Sequence, residues 1–285
     1  MHRCPFIAQT SIDDLCASEP PWGFRTLCRD NRLHATELLG FPNPDRCHYD
    51  TCAVVGTSGT LIKAALGRRI DGHDAVFRVN LSPDGHAVPR RGRARREWVR
   101  DLGTKTTWRV VNIDVFSFFE QYSRNWLRPP RGHGTHVDMK GVKRKPSFAV
   151  VCHNPSTMGR CRMQRMRENF GHNDTVSHLV DPLVLKRMSS EHFKHVRGQR
   201  TLSTGMVAIA VATSMCRHTS VFGFGDARCP HACYHFYECS HNERDFFGRD
   251  GSQGFHNFSF QAAALKEMHR KGRIVLHDGL CSAER

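Results

Sequence analysis

Cys52-Ala-Val-Val-Gly56-Thr-Ser58-Gly59-Thr-Leu61 begins as a short apolar run, breaks at a glycine-bounded turn and resumes as a stretch able to form a helix over 59–66. A strand that feeds a helix through such a turn is the unit of a parallel α/β sheet. The turn also exposes backbone N–H groups at the positive end of the helix dipole, a natural seat for phosphate. It is not the dinucleotide fingerprint, because the third glycine is missing, and no Gly-Lys-Ser/Thr follows to make a Walker loop. Thr60 stands where Gly-x-Ser-x-Gly needs its second glycine. Taken alone, the pattern is a tight strand-to-helix turn.

The same alternation continues outward from this segment. Apolar, β-branched runs at 52–56, 75–79, 108–113, 148–152, 220–224 and 273–276 predict strands, several of them apolar nearly throughout, as strands covered on both faces are. Stretches at 59–66, 160–169, 183–196, 204–216 and 258–271 predict helices. In the last, Phe258, Ala262, Leu265 and Met268 share one face. Residues 1–45, with scattered Pro, Asp and Cys and a short helix expected near 33–39, read as a variable lead-in, and 46–285 as one catalytic-size α/β domain with a mostly parallel central sheet flanked by helices.

The chain has 285 residues, of which 39% are apolar and 9% aromatic, which excludes disorder, collagen and coiled coil. Its longest apolar run, 206–212, is far short of the ~20 residues that span a bilayer, and 1–10 lacks a signal-peptide hydrophobic region, so no membrane anchor is expected. A net charge of +15 and a pI near 9.7 call for an anionic partner: a nucleic acid, a membrane surface or a phosphorylated or carboxylated small ligand. The arginines of 89–100 and the basic cluster 140–145 read as solvated loops. Twelve cysteines fit an oxidising compartment with one or two bridges.

Further segments carry chemistry. Leu202-Ser203-Thr204-Gly205 places a capping hydroxyl and a glycine at a helix start, and Val221-Phe-Gly223-Phe-Gly225 ends a strand in two glycines that favour close approach of a ligand. Cys229-Pro-His231-Ala-Cys233-Tyr-His235-Phe-Tyr-Glu238-Cys239-Ser-His241 is rich in metal-ligating types, but its spacing matches no standard structural zinc arrangement. The alternative is a loop with local disulfides or free thiols in which His235 and the aromatics face a cleft. His256 sits just ahead of the amphipathic helix.

In order, these segments resemble the eukaryotic sialyltransferase family, glycosyltransferase family 29, over roughly residues 46–276. The stretch from Cys52 to Asn80 resembles the large sialylmotif, and 202–225 the small one. Tyr234-His235-Phe-Tyr-Glu238 is similar to the third motif, and His256 with the following helix to the very small motif. Asp101-Leu-Gly-Thr-Lys-Thr-Thr107 is similar to a further segment of animal members. The resemblance implies a GT-A-like, Rossmann-like fold and an inverting, metal-independent transfer of sialic acid from CMP-sialic acid to a glycan hydroxyl on a glycoprotein or glycolipid. It also implies residence in the Golgi, with membrane association only through an anchor this sequence does not show. By carry-over, His256 is the expected general base and His235 the partner of the leaving phosphate. Thr57, Ser58 and Asn80 are expected to hold the nucleotide, and Ser203, Thr204 and Gly205 CMP or the sialic carboxylate. Gly223 and Gly225 give backbone access, and Cys52 and Cys216 form a bridge expected to lock the two halves of the donor site together.

This chain also departs from the pattern. Thr57 and Thr60 stand where the large motif usually has asparagines, Gln261 where the very small motif usually has glutamate, and Thr201 and Leu202 where an aromatic and a proline are commoner. A threonine lacks the reach and second donor of an amide, so altered donor contacts are expected. The same changes keep open a donor other than CMP-sialic acid among CMP-activated keto-sugar acids, and a relative that only binds glycans. The charge alone would also suit a nucleic-acid-binding protein, although no recognised motif for one is present and no nucleic acid is the expected partner. Of the sequons at Asn80, Asn173 and Asn257, only Asn173 is expected to be open to a glycan, the other two abutting the expected site.

Overall fold

The computed structural model describes residues 12–17, 28, 48–80, 82–85, 88–89, 95–112, 135–136, 147–151, 177–180, 202–225, 229–243, 245, 256–277 and 279. In chain order the strands are β1 (Tyr49–Val55), β2 (Ala75–Val79), β3 (Val88–Pro89), β4 (Trp108–Asn112), β5 (Thr135–His136), β6 (Ser147–Val151), β7 (Ser177–Leu179), β8 (Cys216–Phe222), β9 (Cys233–His235), β10 (Glu238–Asn242) and β11 (Val275–His277). The helices are α1 (Ile12–Ala17), α2 (Gly67–Asp71), α3 (Arg95–Leu102), α4 (Thr204–Met215) and α5 (Phe258–Arg270), with a 3-10 turn at Gly59–Leu61. A seven-stranded sheet runs β11-β8-β1-β2-β4-β6-β7, and every pairing in it is parallel. Two small antiparallel sheets, β9 with β10 and β3 with β5, complete the described strands.

Side chains that alternate along β1 feed two cores. Cys52 and Val54, with Phe77 of β2 and Val110 of β4, pack under α4 and α5. Ala53 and Val55 pack with Ile70 of α2, Leu102 of α3 and Phe236. Burying one such Phe or Val contributes about 1.5–3 kcal/mol. α4 is apolar around its whole circumference, from Met206 to Met215, because it lies across β1, β2, β4 and β8.

The expected strands are all present within a few residues, but three readings need correction, the first being the one or two bridges expected, since Cys16–Cys28, Cys52–Cys216 and Cys233–Cys239 make three among the described residues. The helix expected over 59–66 stops at Leu61, because Lys63 and Ala65 take φ of 67° and 54°. The Asp101 carboxylate holds them there, accepting from the backbone N–H groups of Lys63 (2.6 Å) and Ala65 (2.9 Å), and left-handed residues cannot continue a helix. Part of the arginine-rich run read as a loop is α3, where Trp98 and Leu102, four residues apart, turn toward the core beside Phe236. The helices expected near 33–39, at 160–169 and at 183–196 lie outside the described residues.

Topology positions the site. After β1 the chain adds β2, β4, β6 and β7 on one side, whereas β8 and β11 lie on the other, so the order reverses beside β1. At such a reversal the loops leaving neighbouring strands diverge and open a crevice at their carboxyl ends.

Candidate active site

A cavity of about 300 Å³ opens at that crevice, lined by the exits of β1, β2, β4 and β8, the start of α4, the β9–β10 hairpin and the start of α5. The exits of β1 and β8 are stitched together: Gly56 N–H donates to Phe222 O at 2.8 Å and Ser58 N–H to Gly223 O at 3.0 Å. A side chain on Gly56 would run into the Gly223 carbonyl, so the glycine is needed for this close approach. Ser58 caps the 3-10 turn, its hydroxyl accepting from Thr60 N–H (3.2 Å) and Thr60 Oγ1–H (3.0 Å). Thr60 is thereby committed inside the turn, while Thr57 and Ser58 line the cavity.

The β9–β10 hairpin docks on this turn. Phe236 N–H donates to Thr57 O at 2.8 Å, the Cys233 backbone passes against Gly59, and Cys233 is bridged to Cys239 across the hairpin. His235 is thus carried to the cavity, its ring stacked on Tyr237 (5.1 Å between centroids) and tilted on Tyr234 (4.6 Å). Tyr234 meets Phe258 edge-on at 5.5 Å, and His256 meets Phe258 at 5.7 Å. Both imidazoles therefore line one cavity and are separated by the Tyr234–Phe258 pair. Burial first, and the nearby Glu243 carboxylate and Tyr237 next, raise the Tyr234 phenol above its ordinary range, so it keeps its proton and can donate.

The start of α4 forms the facing wall. The Ser203 hydroxyl accepts from Met206 N–H (3.3 Å) and donates to Gln261 Oε1 (2.5 Å), so it serves as cap and brace. The N–H groups of Thr204 and Gly205, which helical geometry leaves without an intrahelical acceptor, stand at the positive end of a twelve-residue helix. Gln261 Oε1 also accepts Ser203 N–H at 3.3 Å, which fixes the amide's orientation. The amide thus keeps an acceptor for Ser203 without bringing a negative charge, and its Nε2 is buried with no hydrogen-bond partner.

Asn80, φ 48°, closes the exit of β2. Its Oδ1 accepts from Asn112 N–H at 3.1 Å, and its carbonyl and that of Ser82 accept from Arg109 Nη1 at 2.6 and 2.9 Å. Arg109 and its register partner Arg78 are both buried; desolvation brings Arg109 down to about 10, so it stays charged at neutral pH. Arg78 donates to the carbonyls of Leu102 (2.7 Å) and Lys105 (3.2 Å), and is also lowered, mainly by desolvation.

Thr57, Ser58, Asn80, Ser203, Thr204, Gly205, Gly223, His235 and His256 all line the cavity. Gly225 stands beside it, against the carboxylate of Glu243, which does line it. The bridge Cys52–Cys216 is present, joining the middle of β1 to the first residue of β8, so it ties together the two strands whose exits line the cavity. The 101–107 segment also lies away from the cavity: Asp71 accepts from the N–H groups of Thr104 and Lys105, which makes this stretch scaffold. Cys229, Cys233 and Cys239 are in disulfides and so have no thiolate to offer a metal. Asn80 and Asn257 are engaged, the latter capping α5 by accepting Phe260 N–H at 3.0 Å; Asn173 is outside the described residues. Among the described residues no helix is long and apolar enough to cross a membrane.

Sequence reasoning missed Asn112, Phe224 and Glu243 as cavity residues, whereas Tyr237 is one of the loop aromatics expected to face a cleft. Asn112 could have been found, since it ends a strand at the sheet edge where sites form. Glu243 carries no periodic or motif signal.

Comparison with known proteins agrees with this picture. The family model described as glycosyltransferase family 29 (sialyltransferase) matches residues 19–273. An alpha-N-acetylneuraminide alpha-2,8-sialyltransferase of Xenopus laevis is 27% identical over 219 residues, covering 75% of this chain and 56% of the relative. The human alpha-N-acetylgalactosaminide alpha-2,6-sialyltransferase 2 is 24% identical, covering 93% of this chain and 72% of the relative. The chain thus spans little more than half the length of some relatives it matches. A crystal structure of a mammalian sialyltransferase in complex with Gal-beta-1-3GalNAc-ortho-nitrophenol superposes with a TM-score of 0.55 at 17% identity, covering 98% of this chain and 91% of that one, a likeness of fold.

Proposed function

The chain belongs to glycosyltransferase family 29, the sialyltransferases, and from that premise we propose that it transfers sialic acid from CMP-sialic acid to a hydroxyl of a glycan acceptor, with inversion and without a metal. The observation that carries this reading is the meeting of the Thr57–Ser58 turn, the α4 start and two imidazoles around one cavity. The donor brings a phosphate and a carboxylate, and the free N–H groups of Thr204 and Gly205 attract an anion there. As the glycosidic bond lengthens, the sugar becomes oxocarbenium-like and charge grows on the departing phosphate, which His235 meets with a hydrogen bond or a proton. His256 takes the proton of the acceptor hydroxyl as it attacks the opposite face. Asn80 and Thr57 position the nucleotide. The disulfides Cys52–Cys216 and Cys233–Cys239 suit the oxidising lumen of the secretory pathway, and a Golgi location follows from the family.

CMP release by the wild type and by His256→Ala tests this, with and without galactoside, N-acetylgalactosaminide and sialoside acceptors. Acceptor-dependent release that the substitution abolishes, with CMP binding retained, is the expected result. Turnover near wild type in His256→Ala would refute the base assignment, and no release with any acceptor would refute the activity.

A further inference from the structure

The cavity wall carries groups of opposite polarity. The N–H groups of Thr204 and Gly205 present the positive end of α4. Glu243, 1% exposed, puts a carboxylate into the same wall. Gly225 sets its place: φ is 75°, and a Cβ there would meet the two carboxylate oxygens at 2.5 and 2.7 Å, so only glycine lets the exit of β8 run against Glu243. Phe224 separates the two groups, its ring edge packed on Gly205 while the next residue backs onto the carboxylate.

A carboxylate accepts hydrogen bonds and donates none, and its several lone-pair sites can serve a ligand beside a protein contact. An anionic group brought against Glu243 would meet a like charge in a desolvated wall, so the anionic part of a ligand belongs at α4. Whatever part faces Glu243 must then supply an N–H or O–H. In a cytidine nucleotide the base edge offers the 4-amino group, which carboxylates recognise, whereas uracil offers a carbonyl oxygen, lone pair against lone pair.

Building on the donor proposed above, we infer that Glu243 is a base-selecting residue, accepting a hydrogen bond from the exocyclic amino group of cytosine so that the site prefers cytidine to uridine nucleotides. Calorimetric titration of the whole chain with CMP, UMP and N4,N4-dimethyl-CMP tests this, on the wild type and on Glu243→Gln. The wild type should bind CMP about tenfold or more tighter than UMP, as one hydrogen bond to a charged group warrants, and the dimethyl analogue should fall to the level of UMP. Glu243→Gln, whose amide can turn its NH₂ to the uracil oxygen, should bring CMP and UMP within about threefold of each other. CMP binding with that ratio unchanged in a folded Glu243→Gln protein overturns the inference and leaves the donor reading standing. The ligand series needs no variant, so the inference is also overturned if the dimethyl analogue binds the wild type as tightly as CMP does. A wild type that binds no cytidine nucleotide overturns both.

Discussion

Arg109→Lys probes whether the nucleotide wall is held from behind. Arg109 Nη1 spans the carbonyls of Asn80 and Ser82 at 2.6 and 2.9 Å inside a closed interior. A lysine ammonium ends one atom short of the position of Nη1 and cannot keep both contacts, which removes a charged hydrogen bond worth about 1.5–3 kcal/mol. Asn80 sits at φ 48°, a conformation that costs about 1 kcal/mol or more for a residue with a side chain and that relaxes once its carbonyl is released. If that loss is expressed as a smaller population of the held turn, the apparent Kd for CMP rises by the inverse of that population, roughly 10- to 100-fold. Titration calorimetry of Arg109→Lys, Asn80→Ala and the double variant, each with its melting temperature, separates positioning from stability. The two substitutions should be strongly non-additive, Arg109→Lys weakening CMP little once Asn80 is gone. Additive losses, or a lower melting temperature with unchanged CMP affinity, would refute the reasoning.

Replacing Gln261 by leucine removes the acceptor for both the N–H and the hydroxyl of Ser203, and should lower unfolding free energy in urea by about 1–3 kcal/mol, whereas Gln261→Glu, which keeps the acceptor, should stay close to wild type. The Cys52→Ser, Cys216→Ser double variant opens a loop spanning 164 residues, worth ~5 kcal/mol in the chain-entropy model, and its loss should appear as a much lower urea midpoint. Gly56→Ala drives a methyl into the Gly223 carbonyl and should yield protein that no longer binds CMP, measured by calorimetry on whatever fraction folds. Glu267, held down to about 2 first by its hydrogen bonds to Arg270 and Lys271, is lowered relative to its ordinary 4.5, so its support of α5 is fully present above about 4.5 and lost as pH falls toward 2. Its carboxyl carbon, followed by NMR, should titrate near 2; a midpoint near 4.5 would dissolve that contact.

Much of this architecture was readable from local chemistry. The strand expected at 75–79 is β2 to the residue, because a strand covered on both faces is apolar at every position but Arg78. The turns at Gly56 and Gly205 were visible because glycine at a strand end or helix start marks close backbone approach. The parts that escaped depend on distant partners. Nothing near Lys63 announces that Asp101, 38 residues on, will end the helix there. Nothing in the run 108–113 marks Arg109 for a role, but neighbouring strands and the loop after β2 enclose it and turn it into a fastener for Asn80. Glu243 depends on where the β9–β10 hairpin lands, which tertiary docking decides.

The placing of β1 between β2 and β8 has a consequence for the nascent polypeptide. β2 follows within some twenty residues, but Cys216 lies 164 residues beyond Cys52. At ordinary elongation rates that is roughly 10–30 s, during which one flank of Ala53-Val54-Val55 has unsatisfied backbone groups and the Cys52 thiol awaits its mate among the chain's other cysteines. Newly made chains are therefore most exposed to wrong-strand pairing and mismatched bridges in this interval, and attendance by folding helpers and disulfide isomerases until residue 222 has emerged should govern how much protein reaches the native state.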